Sequence, residues 1–333
     1  MRSFLLEYTE RAEQEAKDDA TIDLHINLWG VNAQSSEKSP KMVLDFGFMI
    51  DDITKIKEII LYCPFNVEKV EDLGKRLSAN PNLIDAIFNE DCETLSNIHP
   101  NRIKITKKGD NFKKEDNSKE EFILYKLDSS LIDFKDENGY SRIRINVADI
   151  LSGKEAEIGH LKNIKKYYIR IRISPNDELS YILKRENEDI NILQDVSLKT
   201  TEIIDFRIND FRSITEKMKE EAYRLNKFKI SSVHYFIMRS STDEYIASAD
   251  TYKSRLLENE VWNKYISLSK NDVIAYHFKK NKDKDKNISS FTNLSRFKYP
   301  LNVKERICLY IGIVTIISVL SSMIASFLYN NYA

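Results

Sequence analysis

The chain has 333 residues, with 51 Lys and Arg against 52 Asp and Glu, so its formal net charge is -1 and no global field draws it to nucleic acid or acidic substrates. Its three cysteines, Cys63, Cys92 and Cys308, are odd in number and far apart, which argues against a disulfide framework and for a reducing compartment. The length leaves room for one large domain or two smaller ones.

At the N-terminus a short apolar patch (Phe4, Leu5, Leu6) is followed by Glu7, Glu10, Arg11, Glu13 and Glu15, which is not the apolar run of a signal peptide. Residues 21–28 alternate in hydropathy, and 42–50 and 58–63 are dense apolar runs, so all three read as strands. Residues 67–88 read as helix through Val70, Leu73, Leu77, Leu83, Ile84 and Ile87, broken in two at Pro81. A solvated loop over 107–121 precedes strands at 122–126, 142–147 and 167–173.

In the second half, 203–208 and 232–238 read as strands. Ser213 and Glu216 form an S-x-x-E capping box that opens a helix to about Leu225. Residues 240–244 turn toward a hairpin partner at 245–247. A second helix is expected over 250–266, with Leu257, Val261 and Tyr265 on one face, and a strand at 273–278 closes the globular part. Residues 307–328 are then uncharged and apolar, roughly 33 Å long as a helix, which suffices to cross a bilayer core of about 30 Å. Tyr310, Tyr329 and Tyr332 flank that run as interfacial aromatics do.

These elements imply an α+β protein: a β-rich cytosolic domain over 1–278 with sandwich-like sheets and a few helices, open to division into two subdomains near 175–200. A basic polar linker over 279–305 and one transmembrane helix over 306–329 complete it. Lysines and arginines crowd the linker and none follows the helix, so the positive-inside rule places the large domain in the cytoplasm; with no export signal, the expected anchor site is a cell inner membrane, a eukaryotic tail anchor in the endoplasmic reticulum being the alternative.

Three of the expected strands share one pattern, with Arg102 and Lys104, Arg142 and Arg144, and Arg170 and Arg172 alternating with isoleucines. Alternate residues of a strand share a face, so each strand should put its isoleucines on a core and its bases outward. As neighbours the three would make one basic plane suited to phosphate, whether of nucleic acid, a nucleotide or lipid; apart, they would make a scattered solvated face. Two D-F-R units, Asp205-Phe206-Arg207 and Asp210-Phe211-Arg212, offer internal ion pairs or ligand contacts by Arg207 and Arg212.

Catalytic signals are sparse. There are 8 glycines and no phosphate-cradling or nucleophile-elbow motif, and no cofactor is expected. The five histidines, His25, His99, His160, His234 and His277, stand isolated in sequence, so each reads as structural and no metal ligand set is expected. Asp133-Phe134-Lys135 resembles the D-x-K half of a metal-dependent nuclease core. In the tail, Ser318, Ser322 and Ser326 recur every fourth residue beside Ser321 and Ala325, a small-residue face on which two helices can approach closely.

A cytosolic domain on one C-terminal membrane helix is similar in layout to the membrane effectors of prokaryotic antiviral systems, in which recognition on the soluble part makes the helices cluster and breach the membrane. The resemblance is architectural, and it implies a non-enzymatic sensor and effector with a ligand or protein partner and homo-oligomers formed through the helix. A constitutive tail-anchored scaffold and an anchored nuclease using Asp133 and Lys135 are the alternatives.

Overall fold

The computed structural model describes residues 2–11, 19–30, 42–95, 100–108, 120–137, 139–151, 163–176, 179–187, 199–248, 250–267, 272–283, 286–300 and 303–332. Most of the loop expected over 107–121, together with His99 and His160, lies outside the described residues. Strands β1 (Leu5–Glu10), β2 (Thr21–Trp29), β3 (Val43–Ile50), β4 (Ile56–Cys63) and β5 (Val67–Asp72) come first, then helices α1 (Gly74–Ser78) and α2 (Pro81–Phe88). Next are β6 (Cys92–Leu95), β7 (Arg102–Lys107), β8 (Glu121–Tyr125), β9 (Ile132–Glu137), β10 (Tyr140–Asn146), α3 (Ala148–Leu151) and β11 (Tyr167–Pro175). The second half holds β12 (Leu183–Asn187), β13 (Lys199–Ile208), α4 (Glu216–Ala222), β14 (Asn226–Lys227), β15 (Lys229–Ser240) and β16 (Glu244–Ser248). It ends with β17 (Lys253–Leu256), α5 (Asn259–Trp262), β18 (Val273–Asn281), β19 (Phe291–Pro300) and α6 (Val303–Tyr332).

The strands build three sheets, so the expected α+β, strand-rich architecture is what the chain adopts. One runs β14-β1-β4-β10-β9, a second runs β17-β18-β15-β2-β3-β11-β8-β7-β6 with β5 also on β11, and a third runs β12-β13-β19-β16. Most neighbours are antiparallel, but β2 with β15 and β8 with β11 are parallel. Period-two patterning explains the layering. Ile22, Leu24 and Ile26 of β2, Phe46 and Phe48 of β3, and Ile59 and Leu61 of β4 meet in the main core between the sheets. The alternate residues Trp29, Met49 and Tyr168 enter a second core under α1, α2 and α5, with Leu77, Leu83, Trp262 and Tyr265 above them. A third cluster lies under α4, where Met218 and Ala222 cover Leu5, Ile60 and Tyr62.

Several expectations need correction. Strands from both halves share sheets, with β2 on β15 and β1 on β14, and one apolar core crosses the chain, so no boundary near 175–200 divides it into subdomains. The 279–305 segment is not a linker, because β18 runs to Asn281 and β19 pairs with β13 along ten residues, from Phe291 to Pro300. Residues 67–72, expected to be helical, form β5 on β11, and 250–266 holds β17 and the short α5 instead of one long helix. Residues 245–247 do not pair back on β15; β16 joins β19, so the turn at 240–244 crosses between sheets. Arg239 clamps that crossing, donating to Glu202 at 2.5 Å and to Asp243 at 2.7 Å.

Helix α6 leaves the globular part almost at once. Its Tyr310–Asn330 stretch has a mean hydropathy of 2.3, and none of it is buried in the protein. Its apolar side chains are solvated nowhere favourably in water, so this is a helix of membrane-spanning length and composition at the C-terminal end of the chain. Within it the Thr315 hydroxyl donates to the Ile311 carbonyl at 2.7 Å, which satisfies a polar group without leaving the helix.

Candidate functional site

Strand register assembles a polar band on the helix-covered face of the large sheet. Along one row Lys253, His277, Phe236, Asn27, Asp45 and Arg172 lie opposite one another in turn. Two residues along, the next row reads Lys279, His234, His25, Gly47 and Arg170. The histidines that stand isolated in sequence are therefore neighbours: ring centroids are 5.0 Å apart for His25 and His234 and 5.2 Å for His234 and His277. His277 in turn stacks on Phe236 at 4.1 Å. Among the described residues no set of three or more His, Cys, Asp or Glu converges to hold a metal ion.

The inner end of the band is a buried charge network. Arg172 grips Asp45 with two bonds, of 2.7 and 3.0 Å, and the same carboxylate accepts from the Trp29 indole and the Tyr265 hydroxyl, each at 2.7 Å. Arg170, wholly buried, donates to the Tyr265 and Tyr168 hydroxyls and, with the Asn27 amide suitably turned, to its oxygen at 2.8 Å. Burial alone would raise the Asp45 carboxyl, but Arg172 overrides it and holds the group below the usual carboxylate range. Two guanidiniums thus share one carboxylate, and the surplus positive charge lies beneath the histidines. Gly47 makes the packing possible, since a Cβ there would strike the Tyr168 hydroxyl and come within 2.8 Å of its Cζ.

The outer end opens as a groove of about 680 Å³ between the C-terminal end of α2 and strands β15, β17 and β18. Helix α2 stops at Asn89, which takes the left-handed conformation (φ 53) and forms one wall. His234, Phe236, His277 and Ala275 are on the sheet side, and Lys253, Arg255 and Lys279 bring positive charge. A smaller pocket, with room for about one water, shares Phe236, Arg255 and Ala275 and reaches inward to His25 and Arg170. Burial, then Lys279 and His277, lowers the His234 pKa to about 4; burial, then Lys279, Lys253 and Arg255, does the same for His277. His25 is pushed well below the usual imidazole value by burial first, then by His234 and Arg170. The groove therefore presents neutral imidazoles in a positive field, with the His277 Nε2 and His25 Nδ1 atoms buried and lacking any hydrogen-bond partner among the described residues.

The six bases of the expected basic plane are divided. Arg102 and Lys104 on β7 are in the large sheet, Arg142 and Arg144 on β10 are in the five-stranded sheet, and β8 separates β7 from β11. Arg170 and Arg172 point inward, because helices cover that face of β11 and bury both sides of the strand. Arg102 is also buried and donates to the Ile150 carbonyl at 2.7 Å. Lys104 pairs with Glu121, Arg142 with Glu221 and Arg144 with Asp133. Arg207 is held by Asp205 and Asp210, and Arg212 by Asp210, the internal pairing that the D-F-R repeat offers. Asp133 and Lys135 lie on the exposed strand β9, with Lys135 paired to Glu137. Ser318, Ser321, Ser322, Ala325 and Ser326 all lie exposed on α6.

No protein-family model and no curated protein matches the chain. Among solved structures, the Fcho1 Mu homology domain of Danio rerio with a bound Eps15 peptide aligns over 84% of this chain and 79% of that one, at 9% identity and a TM-score of 0.19. A likeness at that score carries no argument about fold or function.

Proposed function

We propose that this protein is a membrane-anchored recognition protein without catalytic activity, whose strand-rich domain reads a ligand or partner at the bilayer surface and whose α6 helices associate when it does. The observation that carries the reading is α6 itself, apolar across Tyr310–Asn330, unburied, and joined to the paired strand β19 with only residues 301 and 302 between them. An anchor needs only hydrophobic length. The repeated small residues Ser318, Ser322 and Ser326 favour close helix contact in addition, so clustering is part of the proposal. The domain faces the cytoplasm in this reading, and clustering perturbs the membrane as in antiviral effectors of the same layout. One helix encloses no conduit, so the effect requires assembly.

The test is membrane-potential imaging of cells that carry the full chain with its neighbouring genes, beside a chain ending at Arg306 and a Ser322→Leu variant. Depolarisation on triggering by the full chain alone supports the effector. A normal potential with the full chain still in the membrane fraction leaves a constitutive scaffold, and recovery of the full chain in the soluble fraction overturns the anchor.

A further inference from the structure

We propose that the groove between α2 and strands β15, β17 and β18 binds a nucleotide, with its phosphate on Lys253, Arg255 and Lys279 and its heterocycle against the imidazole edges of His234 and His277. The inference rests on the reading of the strand-rich domain as the part that recognises a ligand.

Charge is the first argument. Glu90 is the one acidic residue lining the groove, and it lies 3.7 Å from Lys107, outside the three cations. Lys253 and Lys279 have no ion pair among the described residues, and Arg255 makes only two long contacts of 3.4 Å, to Asn89 and to the Ala86 carbonyl. Register places Lys253 opposite His277 and Lys279 opposite His234, so the cations stand directly beside the imidazole row. Cations gathered without carboxylates repel one another, and an anion at the rim removes that repulsion. Arg170 beneath the floor adds to the same field.

The second argument is the floor. A bare phosphate would need only the rim, whereas a volume of about 680 Å³ falls in the range of about 300–1,000 Å³ typical of sites for small organic molecules. Phe236, Ala275 and Ile87 give it apolar surface, and the half-buried His234 and His277 rings on its wall give it polar edges that a ring nitrogen or exocyclic amine can meet. Uncharged imidazoles suit that role, because a neutral ring nitrogen can donate or accept as the edge of a base does. An acyl chain would leave the imidazole nitrogens unmet, which disfavours a lipid.

Calorimetry on the full chain in detergent tests this with AMP, ATP and a cyclic dinucleotide as probes, and with adenosine, ribose 5-phosphate and inorganic phosphate as fragments. At least one nucleotide should bind more tightly than every fragment. Lys279→Ala and Arg255→Ala should each weaken it about tenfold, while His277→Phe should weaken the nucleotide but not ribose 5-phosphate. Arg144→Ala, on the other sheet, should change nothing. Thermal unfolding of each variant confirms that it is folded. The proposal is overturned if no nucleotide exceeds inorganic phosphate, if the Lys279→Ala and Arg255→Ala double variant binds as the parent does, or if only anionic vesicles or an acidic peptide compete for the groove. Membrane sedimentation of the same preparations separates the two readings: a chain that sediments but binds no nucleotide loses this ligand and keeps its anchor.

Discussion

His277 lies flat on Phe236 across the β15–β18 ladder, with ring centroids 4.1 Å apart and planes 4° from parallel. The stack keeps a titratable ring on an apolar partner, and protonating it would put a further charge beside Lys253, Lys279 and Arg255. The unfolded chain protonates its histidines near pH 6.5, whereas His234 and His277 in the native state wait until about 4. Between those values the unfolded state holds more protons, so the stability these groups contribute is complete above pH 6.5 and is lost as pH falls toward 4. Each imidazole should account for on the order of 1–2 kcal/mol once partial exposure is allowed for. Thermal midpoints measured from pH 7 to pH 4.5 should fall, and the double variant His234→Phe/His277→Phe should fall less steeply.

Glu7 should act with the opposite sign. It is fully buried on β1 beside the cluster under α4, with both carboxylate oxygens unpartnered among the described residues, and burial pushes its pKa up to about 8 despite Lys227. The native state therefore keeps its proton while the unfolded state gives its own up near 4.5, so the stability cost grows from pH 4.5 and is complete above 8. Glu7→Gln should raise the unfolding midpoint by several degrees at pH 8, an effect on the order of 2–4 kcal/mol, and leave it unchanged at pH 4. An equal gain at both pH values would assign the effect to packing and not to ionisation.

Asp45 should be hard to replace. Its loss in Asp45→Asn leaves two buried guanidiniums without a counter-charge, at a cost of about 3–5 kcal/mol in urea unfolding. Adding Arg172→Met should recover part of that loss, because the remaining cation then has Tyr168, Tyr265 and Asn27 as neutral partners. A double variant less stable than Asp45→Asn alone would show that the pair stabilises mainly through packing.

Gly47→Ala should destabilise the same region through shape alone, because the added methyl displaces the Tyr168 hydroxyl from its bond with Arg170. We expect a loss of about 1–3 kcal/mol, as for other overpacked cores, with partial recovery in Gly47→Ala/Tyr168→Phe. Unfolding titrations of the two variants decide it.

For the helix, Ser318→Leu, Ser322→Leu and Ser326→Leu together should leave membrane sedimentation intact and lower the yield of cross-linked oligomers several-fold. Bulky side chains on that face keep the backbones apart while adding hydrophobicity. Undiminished cross-linking would place the contact on another face.

Much of the strand content was legible because β2 and β10 carry clean apolar alternation and β4 is a dense apolar run. Strand β5 was not, since Val70, Leu73 and Leu77 are spaced as on a helix although only the last stands in one. Strand β19 was hidden for a different reason: the middle of its inward row is polar, Asn293 and Ser295 being buried in hydrogen bonds with Asp250 and with each other. The groove was less legible still. His25, His234 and His277 belong to three strands, and nothing local in the sequence states that β2 pairs in parallel with β15 or that β15 pairs with β18. The outward reading of Arg170 and Arg172 failed because alternation names two faces but does not say that helices will cover the second.

If α6 spans a bilayer as proposed, the short stretch between β19 and α6 limits how far the domain can stand from it. From Pro300 to Val303 the chain reaches at most about 11 Å, and the helical turns from Val303 to Tyr310 add about 10 Å. With α6 in a bilayer as proposed, the last strand of the third sheet is held close to the headgroups, where a long tether would let the domain swing freely. Its ten-residue pairing with β13 also makes it a poor place to absorb slack. Sheet and helix are then so near in the chain that a displacement of the ladder reaches α6 with only two residues between them.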